Sequence, residues 1–267
     1  MLDALRLYGR LVSISLRGQM QYRVSFILFC LANLLLTFLQ FFAVWVLFER
    51  FGHIKGWRLA EVALFYGMAH MAFALAEIIG GGFQYFSFQV RQGNFDQVLL
   101  RPRCTVLQIM GQRVQIGRIG RFLQGLSVLL WGAFSLEMIW TWEKIALLVA
   151  AVFSGACLFW GFFILLATLC FWTIQFLQIM LILGRSGVEA AQFPLSVYHP
   201  WFRRFFTFVI PLACITYYPG LAIFARADPL GSSVYFQWSA PAIGFLFLLL
   251  SLQVWKTGVR HYCSTGS

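Results

Sequence analysis

From Ile145 to Leu183 not one residue carries a charge. Wound as a helix at about 1.5 Å per residue, that run is roughly twice the ~30 Å thickness of bilayer hydrocarbon. It must therefore fold back on itself as two spans, and Thr168 to Gln175, its least apolar patch, is the expected turn. The rest of the chain agrees. Of its 267 residues 61% are hydrophobic and 11% charged, against roughly 25% charged in a soluble domain. That leaves too little polar surface to cover a globule in water. The apolar runs are continuous, not alternating in segments of about ten, which excludes a transmembrane β-barrel. The expectation is an all-α polytopic membrane protein.

The formal charge of +11 reads as topology and not as a nucleic-acid footprint, because the arginines cluster beside particular spans. No nucleic-acid partner is expected. The first twenty residues have basic residues spread through them and no apolar core ending in small residues, so no cleavable signal is expected. The six cysteines are scattered without a CxxC pair and read as packing residues.

Wound at 100° per residue, residues 2–18 place Arg6, Arg10, Ser13 and Arg17 in one stripe, with Leu5, Tyr8, Val12 and Leu16 opposite. Such a helix lies in the membrane interface with its arginines towards anionic headgroups, which puts the N-terminus in the cytoplasm. Spans are expected at 26–48, 62–82, 118–140, 145–167, 172–188 and 238–255. Gly80-Gly81-Gly82 is expected to loosen the inner end of the second, and Val106 to Gln115 to continue into a helix whose Arg113, Arg118 and Arg121 mark the cytoplasmic end of the third. Glu77 lies inside the second span, with His70 two turns earlier. An intramembrane carboxylate is a functional-site hypothesis by default, so Glu77 and His70 are candidate pathway residues. The plainer reading is a carboxylate near a helix end that reaches water.

Between the second and third spans lies a polar, basic island, residues 91–104, RQGNFDQVLLRPRC. Asn94 follows Gly93 and suits a helix cap, with Gln97 closing a capping box. Asp96 falls in the first turn, where the helix dipole favours it. Phe95, Val98 and Leu99 share one face, Arg101 lies opposite, and Pro102 stops the helix. By composition alone this is a cytoplasmic loop with no named partner. Further on, Phe193-Pro194, His199-Pro200 and Pro219-Gly220 interrupt the chain around an uncharged run, 205–225. That run is either a full span or a re-entrant hairpin over 201–225 shielded by protein. The positive-inside rule favours re-entry, which returns Lys256 and Arg260 to the cytoplasm at the price of leaving Arg203-Arg204 outside.

These residues match a known pattern. The island GNFDQVLLRPR resembles the Gly-x-x-Asp-x-x-Leu-x-Arg-Pro signature of type-2 ABC export permeases. The stretch FPLSVYHPWFRRFFTFVIPLACITYYPG is similar to the proline- and tyrosine-rich stretch of its small single-domain members, and HYCSTGS to their "R-Y-x-S-x-G" ending. His199 and His261 depart from the usual pattern. The resemblance implies a single permease domain over 1–267 with six transmembrane helices, an N-terminal interfacial helix, a cytoplasmic coupling helix and an external re-entrant helical hairpin. It implies that Gly93, Asn94, Phe95, Asp96, Val98, Leu99, Arg101 and Pro102 form the ATPase-docking coupling helix. Phe95, Val98 and Leu99 would fill a groove on a separate cytoplasmic ABC ATPase subunit, while Asp96 and Arg101 fix the docking. It further implies a second permease subunit, identical or not, and the bacterial inner membrane with both termini cytoplasmic. ATP and Mg²⁺ would belong to the ATPase, and no cofactor to this chain.

The residues agree on one point independently. A phosphate-binding loop needs Gly-Lys-Ser/Thr, and none of Lys55, Lys144 and Lys256 follows a glycine, apart from which there is no lysine. Two other classes compete. An ion-coupled secondary transporter needs buried carboxylates or histidines and an inverted repeat; only Glu77 and His70 serve, and no repeat is evident. A lipid-acting membrane enzyme needs clustered acids, and the nine acids and four histidines are scattered. Phe-rich runs such as Phe38 to Phe48 would suit an amphiphilic or hydrophobic substrate, or simply face lipid.

Overall fold

The computed structural model describes residues 2–173, 184 and 186–262. Among them regular structure is helical, with a lone antiparallel bridge between Ile54 and Trp57 in place of any strand. Most of the span expected at 172–188, and the tail motif from Cys263 onward, lie outside the described residues.

Helix α1 (Leu2–Met20) leads into α2 (Arg23–Phe51). The buried residues of α2 are Asn33, Thr37, Phe41, Val44 and Phe48. They follow one another at steps of four and three, so one stripe of this all-round apolar helix meets protein. Leu28, Leu35, Phe42 and Trp45 on its other faces are exposed, which suits lipid or another membrane helix and not water. Helix α3 (Leu59–Gly80) is the opposite case. It is buried almost end to end, and α7 (Ile119–Ser135) and α8 (Trp142–Leu169) pack on it, with α2 alongside. A Cβ on Gly67 would stand 2.4 Å from Leu129 Cβ, so only glycine lets α3 and α7 approach this closely.

Four stretches are long and apolar enough to cross a membrane: Arg23–Phe51, Leu59–Arg91, Trp142–Leu169 and Ala242–Arg260. A fifth, Pro200–Val209 with Leu212–Phe224, is bent by 77°. The bend falls at Pro211, which has no N–H to continue a helix. The second limb contains α10 (Tyr217–Phe224), buried from Tyr217 to Ile223, while Phe208 and Val209 on the first limb are exposed. The first limb opens with α9 (Pro200–Arg204). Helix α11 (Val234–Ser239) then leads into α12 (Ala242–Arg260), which packs on α8. Helix α7 has 17 residues, roughly 25 Å and short of the ~30 Å of hydrocarbon. It is shorter than the expected 118–140 because Leu136 turns to an extended conformation.

Two expectations about the chain between the second and third spans are corrected. The chain between the second and third spans is not one helix from Val106 onward. It is broken into α4 (Phe86–Arg91), α5 (Asn94–Leu99) and α6 (Thr105–Gln112), with an extended step at Arg113 before α7. Nor do the three glycines loosen α3. The helix stops at Gly80 and tightens into a 3₁₀ turn, Gly81–Tyr85, because the backbone runs against α6 there. A Cβ on Gly82 would lie 1.8 Å from the Ile109 carbonyl oxygen. Since that neighbour is backbone and cannot swing aside, Gly82→Ala is expected to cost about 3 kcal/mol, read as a lower unfolding midpoint in detergent. An unchanged midpoint would mean that α3 and α6 are not in contact there.

Candidate functional site

The island folds as α5, but its cap differs from the expected one. Gly93 occupies the N-cap in the left-handed region at φ 68° and ψ 5°, and Asn94 becomes the first helical residue. Glycine adopts that backbone without a steric penalty. The Asn94 amide donates to Gln92 Oε1 at 3.0 Å and caps nothing. Asp96 sits in the first turn, as the dipole argument requires. The helix ends at Leu99, and Arg101 and Pro102 lie beyond it in an exposed bend.

The face expected to fill a partner's groove is divided. Phe95 is 0% exposed and Val98 3% exposed, whereas Leu99 is 38% and Leu100 85% exposed. Phe95 inserts its ring among Phe86 at 5.0 Å, Tyr262 at 4.9 Å, Phe171 at 5.6 Å and Trp255 at 6.2 Å between centroids. Edge-to-face packing of this kind holds a short helix that could not stand alone. Gln108 adds a polar tie, donating to the carbonyls of Val98 at 3.3 Å and Arg103 at 3.2 Å. Trp255 in turn donates to Thr105 Oγ1 at 3.0 Å. So Phe95 and Val98 anchor α5 to the ends of α8 and α12, and Leu99, Leu100, Arg101 and Pro102 present the free surface. Burial pushes the nearby Cys170 thiol up to about 11, against the opposing pull of Arg91. It stays protonated, as a packing cysteine should.

Glu77 is buried near the C-terminal end of α3 and does not reach water. Its Oε2 lies 2.9 Å from Arg121 Nη1 and 3.5 Å from Arg118 Nε, with both arginine side chains 14% exposed. Arg118 also donates to Asn33 Oδ1 at 2.8 Å and Gln115 Oε1 at 3.1 Å. The two arginines read from sequence as markers of a cytoplasmic end are thus partners of the intramembrane carboxylate, and they join α2, α3 and α7. Their spacing, three residues apart and opposite Glu77 once two antiparallel spans are paired, was the available signal.

His70 lies deeper, stacked on Tyr66 with centroids 4.0 Å apart, and its Nε2 is 3.4 Å from Gln192 Oε1. Tyr66 donates to the Thr37 carbonyl at 2.8 Å and Gln124 reaches the same oxygen at 3.3 Å. His70 and Glu77 do not touch. Thr37, Gln40, His70, Arg118, Arg121 and Glu189 form the polar wall of a cavity of about 510 Å³. Among the described residues, no group of three or more His, Cys, Asp or Glu side chains could hold a metal ion.

Residues 2–18, expected as an interfacial helix, fall within α1, which packs on α6. Arg10 and Arg17 are exposed, Tyr8 packs against the core, and the Arg6 side chain lies outside the described residues. No curated protein and no solved structure matches the chain. The family model for ABC-2 family transporter proteins, however, matches residues 34–266, a match that takes in α5, the buried Glu77 pair and the bent segment together. The chain belongs to the ABC-2 family of transporter proteins, the membrane permeases of type-2 ABC systems.

Proposed function

We propose that this chain is the transmembrane permease of an ATP-driven exporter and that α5 is its coupling helix. Separate cytoplasmic ABC ATPase subunits would carry ATP and Mg²⁺, and this chain would bind no cofactor of its own. The observation that carries the reading is the divided α5. A helix of six residues is too short to hold its shape alone, yet it is pinned by Phe95 to the ends of two long helices. It also leaves Leu99, Leu100 and Arg101 uncovered. A push on the exposed edge is then delivered to α8 and α12 through packed aromatic rings, which do not compress. With the faces divided in this way, Phe95 and Val98 transmit the force, and Leu99, Leu100 and Arg101 receive it, while Asp96 and Gly93 set the helix geometry.

The same reading supplies the finer architecture. There would be six spans, with the fifth at 172–188, α7 extended by its flanking turns, and 201–225 re-entering from outside. Burial of the second limb supports re-entry, since broken backbone inside a membrane must be shielded by protein. Both termini would then lie in the cytoplasm of a bacterium whose inner membrane holds the chain. A second permease, identical or not, would complete the path, and the cavity lined by α2, α3 and Glu189 faces where an amphiphilic substrate would pass. Pairing of Glu77 with two arginines argues against the ion-coupled alternative, because a coupling carboxylate must be free to exchange its ion.

Extraction in mild detergent, with the co-purifying material assayed for ATP hydrolysis, tests the reading. The expected result is a co-purifying ATPase with phosphate-binding-loop peptides. Purification alone across several detergents, with transport retained in vesicles without ATP, would overturn it.

A further inference from the structure

A second polar cavity, of about 620 Å³, opens between the C-terminal half of α1, the start of α2 and the Arg113–Arg118 connection. Arg113 and Arg118 contribute to its wall, and among the described residues no carboxylate does. The Arg113 guanidinium lies over the Tyr85 ring, 3.7 Å from its centroid. That stack fixes the plane of the cation while leaving its edge N–H groups to a ligand. Arg118 shares Glu77 with Arg121, so the pair keeps one positive charge beyond the carboxylate. The wall is therefore cationic on balance.

Phe26 and Phe29 also line the cavity, Phe29 lying beneath the Arg118 guanidinium at 5.7 Å from its ring centroid. They lead onto the face of α2 where Ile27, Leu28 and Leu31 are exposed. The cavity stands where an interfacial helix turns into a span, which is the depth of the lipid headgroups. A free anion would have no use for an apolar exit of this kind, whereas acyl chains would continue down it. Guanidinium groups grip phosphate in a bidentate fashion, and basic pockets between spans at a membrane surface take anionic headgroups.

We propose that this cavity is a binding site for one anionic phospholipid of the leaflet in which α1 lies, its phosphodiester gripped by the Arg113 guanidinium, with Arg118, held by Asn33, Gln115 and Glu77, adding positive charge beside it. The site does not depend on ATPase docking, so the two can fail separately. Gly18 lines the cavity and has no atom within 4 Å of an added Cβ. A side chain added there meets nothing, so a charge can be set at the cavity's edge without a clash.

Native mass spectrometry of the full chain, loaded with phosphatidylglycerol or phosphatidylcholine, reads the tightly held lipid directly. Wild type is expected to retain one phosphatidylglycerol and to hold phosphatidylcholine several-fold less well. Removing one cation should weaken phosphatidylglycerol by about fivefold in Arg113→Gln, and placing an anion at the cavity's edge should do at least as much in Gly18→Glu. Gly18→Ala should bind as wild type, and Gly18→Glu remains informative if Arg113→Gln does not fold. Equal retention of both lipids, or no change in Gly18→Glu, would overturn the proposal. Displacement of phosphatidylglycerol by millimolar inorganic phosphate would also overturn it, by assigning the cavity to a soluble anion.

Discussion

Replacing Glu77 by Gln is expected to destabilise the chain by about 3 kcal/mol, because removing one partner leaves the other charge buried and uncompensated. In this chain two arginines lose the same carboxylate. The 14% exposure of their side chains lets them swing partly towards the interface, which keeps the figure at the low end of what buried pairs show. The unfolding midpoint in detergent reads the loss, and Glu77→Gln combined with Arg118→Gln should recover part of it, since fewer cations then lack a partner. A different pattern would carry a different meaning. If Glu77→Gln keeps the wild-type midpoint but abolishes transport, the carboxylate works in the pathway. An ion-coupled transporter would then replace the ATP-driven permease.

The second large effect separates the two faces of α5. Leu100→Asp puts a charge on a side chain that is 85% exposed. Surface changes of that kind usually move stability by less than about 0.5 kcal/mol. Its expected consequence is confined to docking, with at least about a tenfold loss of ATPase association, equivalent to ~1.4 kcal/mol. Arg101→Ala should act in the same direction. Phe95→Ala empties a ring site that is fully buried, and is expected to cost about 3–5 kcal/mol of stability. Binding assays paired with unfolding midpoints therefore have opposite outcomes for positions five apart. If Phe95→Ala unlinks the ATPase while the midpoint holds, the buried ring faces the partner after all and the division of α5 is wrong.

What could be read from the chain alone follows from which forces act locally. Uncharged length identifies membrane helices because the bilayer imposes it residue by residue, and the run from Ile145 onward holds an α8 that ends at Leu169, just inside the expected turn. The Asn94–Leu99 helix was legible for the same reason: a glycine, an early acid and a following proline are local signals. Which side of that helix is free was not. Phe95, Val98 and Leu99 lie on one face by angle, and only the arrival of Phe171, Trp255 and Tyr262 from far along the chain buries the first two. Gly93 took the cap from Asn94 because a positive φ was needed to turn out of α4. The Glu77 pair was missed because Arg118 and Arg121 are separated from it by the whole of the island. Their three-residue spacing becomes a signal only once α3 and α7 are paired, and how tightly those helices close depends on Gly67, well away from Glu77 along α3.

The most direct test of the central claim uses a photo-crosslinking residue, benzoylphenylalanine, at position 100 in place of Leu100, in cells making the full transporter. Irradiation is expected to join this chain to a second polypeptide that carries Gly-Lys-Ser/Thr peptides. The same residue at position 95 should crosslink only within the chain, to the segments bearing Phe171 or Trp255. A position-100 probe that reaches no ATPase, with the chain folded and transport intact, would contradict the assignment of α5 as the coupling helix.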